Sequence, residues 1–118
     1  MKSAVIAISA ALVVCFMTSC RANQGSFMLV NEATESIAHA AVTVCGQTIE
    51  LNDIQPSKSA RGSYVVKSDS GYHIKIEFKS GKKLQKEIGY VTNGLDFQDV
   101  IAVTDKDIEM RESKAKLP

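Results

Sequence analysis

The chain has few of the residues that mark catalytic or nucleic-acid-binding proteins. Among its 118 residues there is no tryptophan, there are only two histidines, and aromatic residues make up 6%. The formal net charge is +1, so the sequence has no basic excess of the kind that binds nucleic acid. We therefore expect no nucleic-acid partner, and the length is that of a single domain.

Cysteine is also scarce, and two of the three cysteines stand beside an apolar N-terminal run. Residues 4–17 carry no charge. A run of this length is short for a membrane span, which needs about 20 residues, and fits the apolar region of an export signal. Cys15 lies inside the run and Cys20 at its end, so Cys45 is the one cysteine in the remaining sequence. A lone cysteine there is most simply a small buried apolar side chain.

The end of the apolar run resembles a known processing signal. Met17-Thr18-Ser19-Cys20 is similar to the lipobox of bacterial lipoprotein precursors, which is close to Leu-Ala-Gly-Cys. The resemblance implies that residues 1–19 are a signal peptide and that Cys20 receives acyl chains such as palmitate. It also implies a place in the cell envelope, with Arg21 favouring the outer membrane, facing the periplasm. The alternative is ordinary secretion, with cleavage after Ala22 and a soluble product.

The rest of the chain predicts short β-strands separated by turns. Tyr72–Lys79 alternates apolar and polar residues, Ser80-Gly81 is a turn, and 84–90 returns with Leu84, Ile88 and Tyr90 on one side. Repeated turn signals predict an all-β fold, a single antiparallel β-sandwich that is immunoglobulin-like in general shape. A small open β-barrel is the alternative. The predicted organisation is a tether at 20–25, the sandwich at 26–111 with a loop at 52–60, and a flexible tail at 112–118.

Residues that could carry chemistry do not form a recognisable motif. His39 and His73 have no partner at metal-ligand spacing, and no Gly-x-Ser-x-Gly elbow is present. The late aspartates match no calcium loop, and we expect them to accept hydrogen bonds from nearby backbone. We therefore expect no enzyme activity, no cofactor and no metal. The aspartates in question are Asp96, Asp99, Asp105 and Asp107.

Two segments are candidate interaction surfaces. One is GYVTNGLDF (89–97), which could expose its apolar residues for binding or use them to plug the end of the sandwich. The scarcity of aromatic residues favours the plug. The other is the basic hairpin tip, which could touch anionic lipid or cell-wall polymer, or only protect a sheet edge. The residues concerned are Tyr90, Asn93, Leu95 and Phe97 in the first segment and Lys82 and Lys83 in the second.

These observations favour a membrane-anchored envelope lipoprotein with a non-enzymatic interaction domain. Its expected partner is an envelope protein or a cell-wall component. The alternative is a secreted periplasmic inhibitor or ligand-binding module, similar in size to the small lysozyme inhibitors. Their Ser-Gly-x-x-Tyr motif is not reproduced, because Tyr72 directly follows Ser70-Gly71. A small hydrolase is the weakest of the three hypotheses.

Overall fold

The computed structural model describes residues 22–116, and all regular structure in this range is β-strand. The predicted signal peptide and lipidated Cys20 lie outside the described residues, as do residues 117–118. Within the described range, no helix is long and apolar enough to span a membrane. The strands are β1 (Asn23–Asn31), β2 (Ile37–Val44), β3 (Gln47–Ile54), β4 (Ser59–Val66), β5 (Ser70–Phe78), β6 (Lys83–Val91), β7 (Asp96–Val103) and β8 (Ile108–Lys116).

The strands form two four-stranded sheets that pack face to face. Sheet A has the order β4-β1-β7-β8, and sheet B has the order β3-β2-β5-β6. All neighbouring strands are antiparallel except β1 and β7, which run parallel. This arrangement confirms the predicted β-sandwich over the small open barrel. The likeness to immunoglobulin domains is limited to general shape, because their sheets have the strand orders ABED and CFG.

The two sheets are held together by the side chains that alternate residues of each strand direct into the core. In β5 the even-numbered residues from Tyr72 to Phe78 are buried, as the sequence predicts, and the odd-numbered ones face outward. β1 alternates in the same way, with Gly25, Phe27 and Leu29 facing the core. The core is thus built from the inner faces of both sheets, as an aligned sandwich requires.

Two glycines make room for two aromatic rings of the core. Gly25 in β1 is paired with Tyr64 in β4, and Phe27 is paired with Gly62. A Cβ on Gly25 would lie 2.1 Å from Cζ of Tyr64, and one on Gly62 would lie 2.4 Å from Cζ of Phe27. Each ring therefore lies over the backbone of its partner strand. Phe27 and Tyr64 both make edge-to-face contacts with Tyr72, with centroids 6.0 and 5.9 Å apart.

Three predicted boundaries need correction. β1 begins at Asn23, inside the predicted tether, and β8 continues to Lys116, inside the predicted flexible tail. The predicted loop at 52–60 shrinks to residues 55–58. In each case, backbone pairing with a neighbouring strand extends the element through polar residues. Residues 112–116, for example, are paired with 96–100 of β7.

The loops gather at two ends of the sandwich. Gln47 Nε2 donates to the carbonyl of Val65 at 2.8 Å, which joins the two sheets at the end where β1 begins. Asn31 Nδ2 donates to the carbonyl of Ile54 at 2.8 Å and joins them at the other end. We call the first the proximal end and the second the distal end. The proximal end comprises residues 23–25, 44–47, 66–70 and 91–96 together with the end of β8 at Lys116, and the distal end comprises 31–37, 54–59, 78–83 and 103–108.

Candidate functional site

An exposed tyrosine is fixed at the proximal end. The Tyr90 ring is 62% exposed, and its hydroxyl donates to Asp69 Oδ2 at 3.1 Å. The other carboxylate oxygen of Asp69 accepts the backbone N–H of Asn93 at 2.8 Å. The hydrogen bond to Asp69 raises the pKa of Tyr90, so its hydroxyl remains a donor at neutral pH. Asp69 thereby ties both Tyr90 and the β6–β7 loop to the β4–β5 turn.

A β-bulge explains why Tyr90 is exposed. Tyr72 is paired with Ile88, but Ser70 is paired with Val91, so β6 carries one extra residue at this point. Gly89 in the bulge has a φ of +74°. The sequence predicted Tyr90 on the same side as Ile88, and that prediction is wrong because the bulge reverses the alternation. Val91 is fully buried instead.

The rest of the 89–97 segment divides between core and surface. Phe97 is 5% exposed and belongs to the core, so the plug expectation is confirmed for this ring. Leu95 is partly buried against the same core. Asn93 is exposed, like Tyr90. Of the four candidate residues in this segment, Tyr90 and Asn93 are exposed enough to contact a partner. Phe97 is buried and is therefore no longer part of the candidate surface.

The two candidate surfaces lie at opposite ends. Lys82 and Lys83 are at the distal end, and roughly 25 Å of extended strand separates them from Tyr90. Their charges are also engaged. The Lys82 ammonium donates to the carbonyl of Asp105 and lies 5.7 Å from the centroid of Phe78. Lys83 Nζ lies 3.8 Å from a carboxylate oxygen of Glu77. The tip is therefore not a free basic patch.

A polar chain that sequence reasoning missed crosses the core. The Tyr72 hydroxyl donates to Asp99 Oδ2 at 2.5 Å, and the Tyr64 hydroxyl lies 2.7 Å from the Tyr72 hydroxyl. Because the proton of Tyr72 is directed at Asp99, Tyr64 must donate to Tyr72. Asp99 is 3% exposed, and its Oδ1 has no hydrogen-bond partner among the described residues. The chain links β5 of sheet B to β4 and β7 of sheet A.

Burial keeps both phenols of this chain protonated. It raises the pKa of Tyr64 to about 12. The pKa of Tyr72 is raised much further, by burial first and by its bond to Asp99 second. Both groups therefore act as donors throughout the physiological range. The arrangement is a structural bond between the sheets, since all three side chains are buried.

The other titratable candidates serve local structure. Asp96, Asp105 and Asp107 accept backbone N–H groups from Gln24, Thr34 and Ile108, each at 2.8 Å. The expected bond to local backbone is confirmed for Asp107, whereas Asp96 and Asp105 bond backbone that is distant in sequence. The bond from Thr34 lowers the pKa of Asp105. The hydrogen bond from the Lys86 ammonium, followed by the bond from Ile108, lowers the pKa of Asp107. Within residues 22–116, no group of three His, Cys, Asp or Glu side chains is placed to hold a metal ion.

The histidines face outward on sheet B and are separately partnered. His39 Nδ1 lies 2.8 Å from Asn52 Oδ1, and His73 Nδ1 lies 3.2 Å from Glu87 Oε1. His73 and Glu87 line a depression of about 430 Å³ over the bulge. The pair alone does not define a reaction.

Cys45 is buried at the tip of the β2–β3 hairpin and is a free thiol. Its N–H donates to Ser70 Oγ at 3.0 Å, and its Sγ donates to the carbonyl of Ser68 at 3.4 Å. The sequence interpretation of Cys45 as a small buried residue is therefore confirmed.

Comparison with known proteins identifies the fold and no more. No protein-family model matches the chain, and no curated protein sequence matches it. Among solved structures, it is similar to the NMR structure of a protein from Eubacterium rectale, with a TM-score of 0.54 and 14% sequence identity. The match covers 81% of this chain and 91% of that one. At this identity the likeness supports the two-sheet architecture alone.

Proposed function

We propose that the protein is a bacterial envelope lipoprotein whose β-sandwich binds another envelope component. A lipid on Cys20 would anchor it, and the proposed location is the outer membrane, facing the periplasm. The observation that carries the proposal is the start of the fold, since β1 begins at Asn23, three positions after the lipobox-like cysteine.

Processing at Cys20 would leave the whole of β1, which begins at Asn23, in the mature chain. Acyl chains contribute about 0.8 kcal/mol for each methylene buried in the bilayer, and two or more chains give a stable anchor.

Binding is favoured over catalysis by the way the acidic side chains are used. Asp69, Asp105 and Asp107 each accept a backbone N–H, which holds a loop or strand end in place. Groups committed to such bonds are poorly placed to exchange protons with a substrate. The exposed ends of the sandwich instead present fixed side chains, which suits recognition of a partner.

Lipid attachment can be tested directly in the full chain. The wild type, Cys20→Ser and Cys45→Ser would be expressed in a bacterial host that processes lipoproteins, with an acyl-chain label. We expect label and membrane association in the wild type and in Cys45→Ser, the matched control, and neither in Cys20→Ser. An unmodified Cys20 in a soluble mature chain would refute the proposal and favour the secreted module.

A further inference from the structure

The anchor and the fold lie very close together along the chain. Only Arg21 and Ala22 separate Cys20 from Asn23. An extended chain advances at most about 3.6 Å per residue, so Asn23 lies within about 11 Å of the Cys20 Cα. If Cys20 is lipidated, as proposed above, the proximal end of the sandwich must remain within that distance of the headgroups.

The first residues of β1 are held by hydrogen bonds, so the tether between Cys20 and the fold cannot lengthen by releasing them. Asn23 is paired with Val66, and its side-chain amide donates to Asp96 Oδ1 at 3.1 Å. The N–H of Gln24 donates to the same oxygen at 2.8 Å. Gly25 is buried and is paired with Tyr64 on one side and Phe97 on the other. Lengthening the tether by releasing β1 would break these bonds.

The proximal end carries the side chain best suited to a lipid surface. Tyr90 is the one large hydrophobic side chain that the described residues leave exposed. Tyrosine is enriched at membrane interfaces, where its ring enters the apolar boundary and its hydroxyl stays hydrated. Lys67, in the same β4–β5 turn as Asp69, is exposed and adds a positive charge that anionic headgroups would attract.

The backbone itself enforces the exposure of Tyr90. In a regular strand Tyr90 would continue the inward face of Ile88, and the bulge at Gly89 turns it outward. A Cβ on Gly89 would lie 2.8 Å from Met110 Cε and 3.2 Å from Tyr72 Cδ2. The positive φ is the main reason for glycine here, because the flexible end of Met110 can move away from an added Cβ.

We propose that the proximal end of the sandwich rests on the membrane surface, with Tyr90 inserted at the level of the headgroups. This inference depends on the proposed lipidation of Cys20. The distal end, with Lys82 and Lys83, then points away from the bilayer. Those lysines cannot reach the lipid of the anchoring membrane.

The absence of tryptophan allows a clean test. Tyr90→Trp introduces a single fluorophore at the proximal end, and Lys106→Trp introduces one at an exposed distal position as the matched control. Each lipidated full-length protein is reconstituted in vesicles of phosphatidylethanolamine and phosphatidylglycerol with brominated acyl chains. We expect blue-shifted, strongly quenched emission from Tyr90→Trp, and unquenched emission at longer wavelength from Lys106→Trp. Asn93→Trp replaces Tyr90→Trp if circular dichroism shows that the latter is unfolded.

The outcomes separate the two proposals. Mass spectrometry of the same samples reports the lipid on Cys20, and its absence refutes the proposed function together with this inference. A lipidated protein in which Tyr90→Trp is quenched no more than Lys106→Trp overturns the inference alone. Such a result would mean that the proximal end does not contact the bilayer, or that both ends lie at the same distance from it.

Discussion

Replacing Tyr72 with phenylalanine should destabilise the protein more than its single lost oxygen suggests. The Tyr72 hydroxyl donates to Asp99 at 2.5 Å and receives the hydroxyl of Tyr64 at 2.7 Å. Without it, Asp99 loses the partner of Oδ2, and its Oδ1 already has none among the described residues. The carboxylate is 3% exposed, so water cannot readily replace the missing donor.

The expected magnitude follows from the charge of the acceptor. A hydrogen bond to a charged group contributes about 1.5–3 kcal/mol, and stranding a buried polar group costs about 1–3 kcal/mol. We therefore expect Tyr72→Phe to lower the free energy of unfolding by about 3 kcal/mol. Tyr64→Phe should cost only about 1 kcal/mol, because it removes a bond between neutral groups and leaves Tyr72 bound to Asp99.

Urea unfolding followed by circular dichroism measures these differences. The double variant Tyr72→Phe/Asp99→Leu is the decisive control, since it removes the stranded carboxylate and fills similar space with an apolar side chain. It should recover much of the stability lost in Tyr72→Phe. Equal losses in Tyr72→Phe and Tyr64→Phe, or no recovery in the double variant, would show that Asp99 does not depend on this bond.

Three further predictions concern the core and the proximal end. Folding raises the pKa of Tyr64 from 10.0 to about 12, so the neutral phenol stabilises the folded state fully below pH 10. This contribution to the free energy of unfolding is lost as the pH rises through 12. Tyrosinate absorbance should therefore increase together with unfolding in that range. Gly25→Ala should lower the melting temperature, at a cost of about 1–3 kcal/mol, because its Cβ would overlap the Tyr64 ring, whereas outward-facing Ser26→Ala should not. Phe97→Ala should cost about 3–5 kcal/mol in urea unfolding, and Tyr90→Ala less than about 1 kcal/mol.

The sequence predicted the architecture because most strands have one buried face and one solvent-exposed face. The alternation from Tyr72 to Lys79 and the turn at Ser80-Gly81 require only local information, and both are present in the structure. The ends of β1 and β8 could not be predicted in this way. Polar residues there are ordered by backbone bonds to strands that are distant in sequence, and no side-chain pattern marks them.

The candidate site was predictable only in part, and for a related reason. By sequence alone Asp99 is treated like the other late aspartates, although it lies on the same inward face of β7 as Phe97 and Ile101. A period of two through residues 97–103 could have indicated a buried carboxylate. The bulge that exposes Tyr90 depends on how β6 pairs with β5. One extra residue in β6 at this point turns Tyr90 to the outer face, although the alternation in sequence places it on the inner face with Ile88.

Strand topology ties the location of the proposed anchor to the location of the exposed surfaces. β1 lies between β4 and β7, so its first residue is placed beside the 66–70 and 91–96 loops. Asp69 lies in one of these loops and holds Asn93 in the other, together with Tyr90. The proposed tether at the start of β1 would therefore bring these residues to the membrane without a dedicated binding loop. The antiparallel strands β5 and β6 place their connecting turn at the distal end, far from the start of β1.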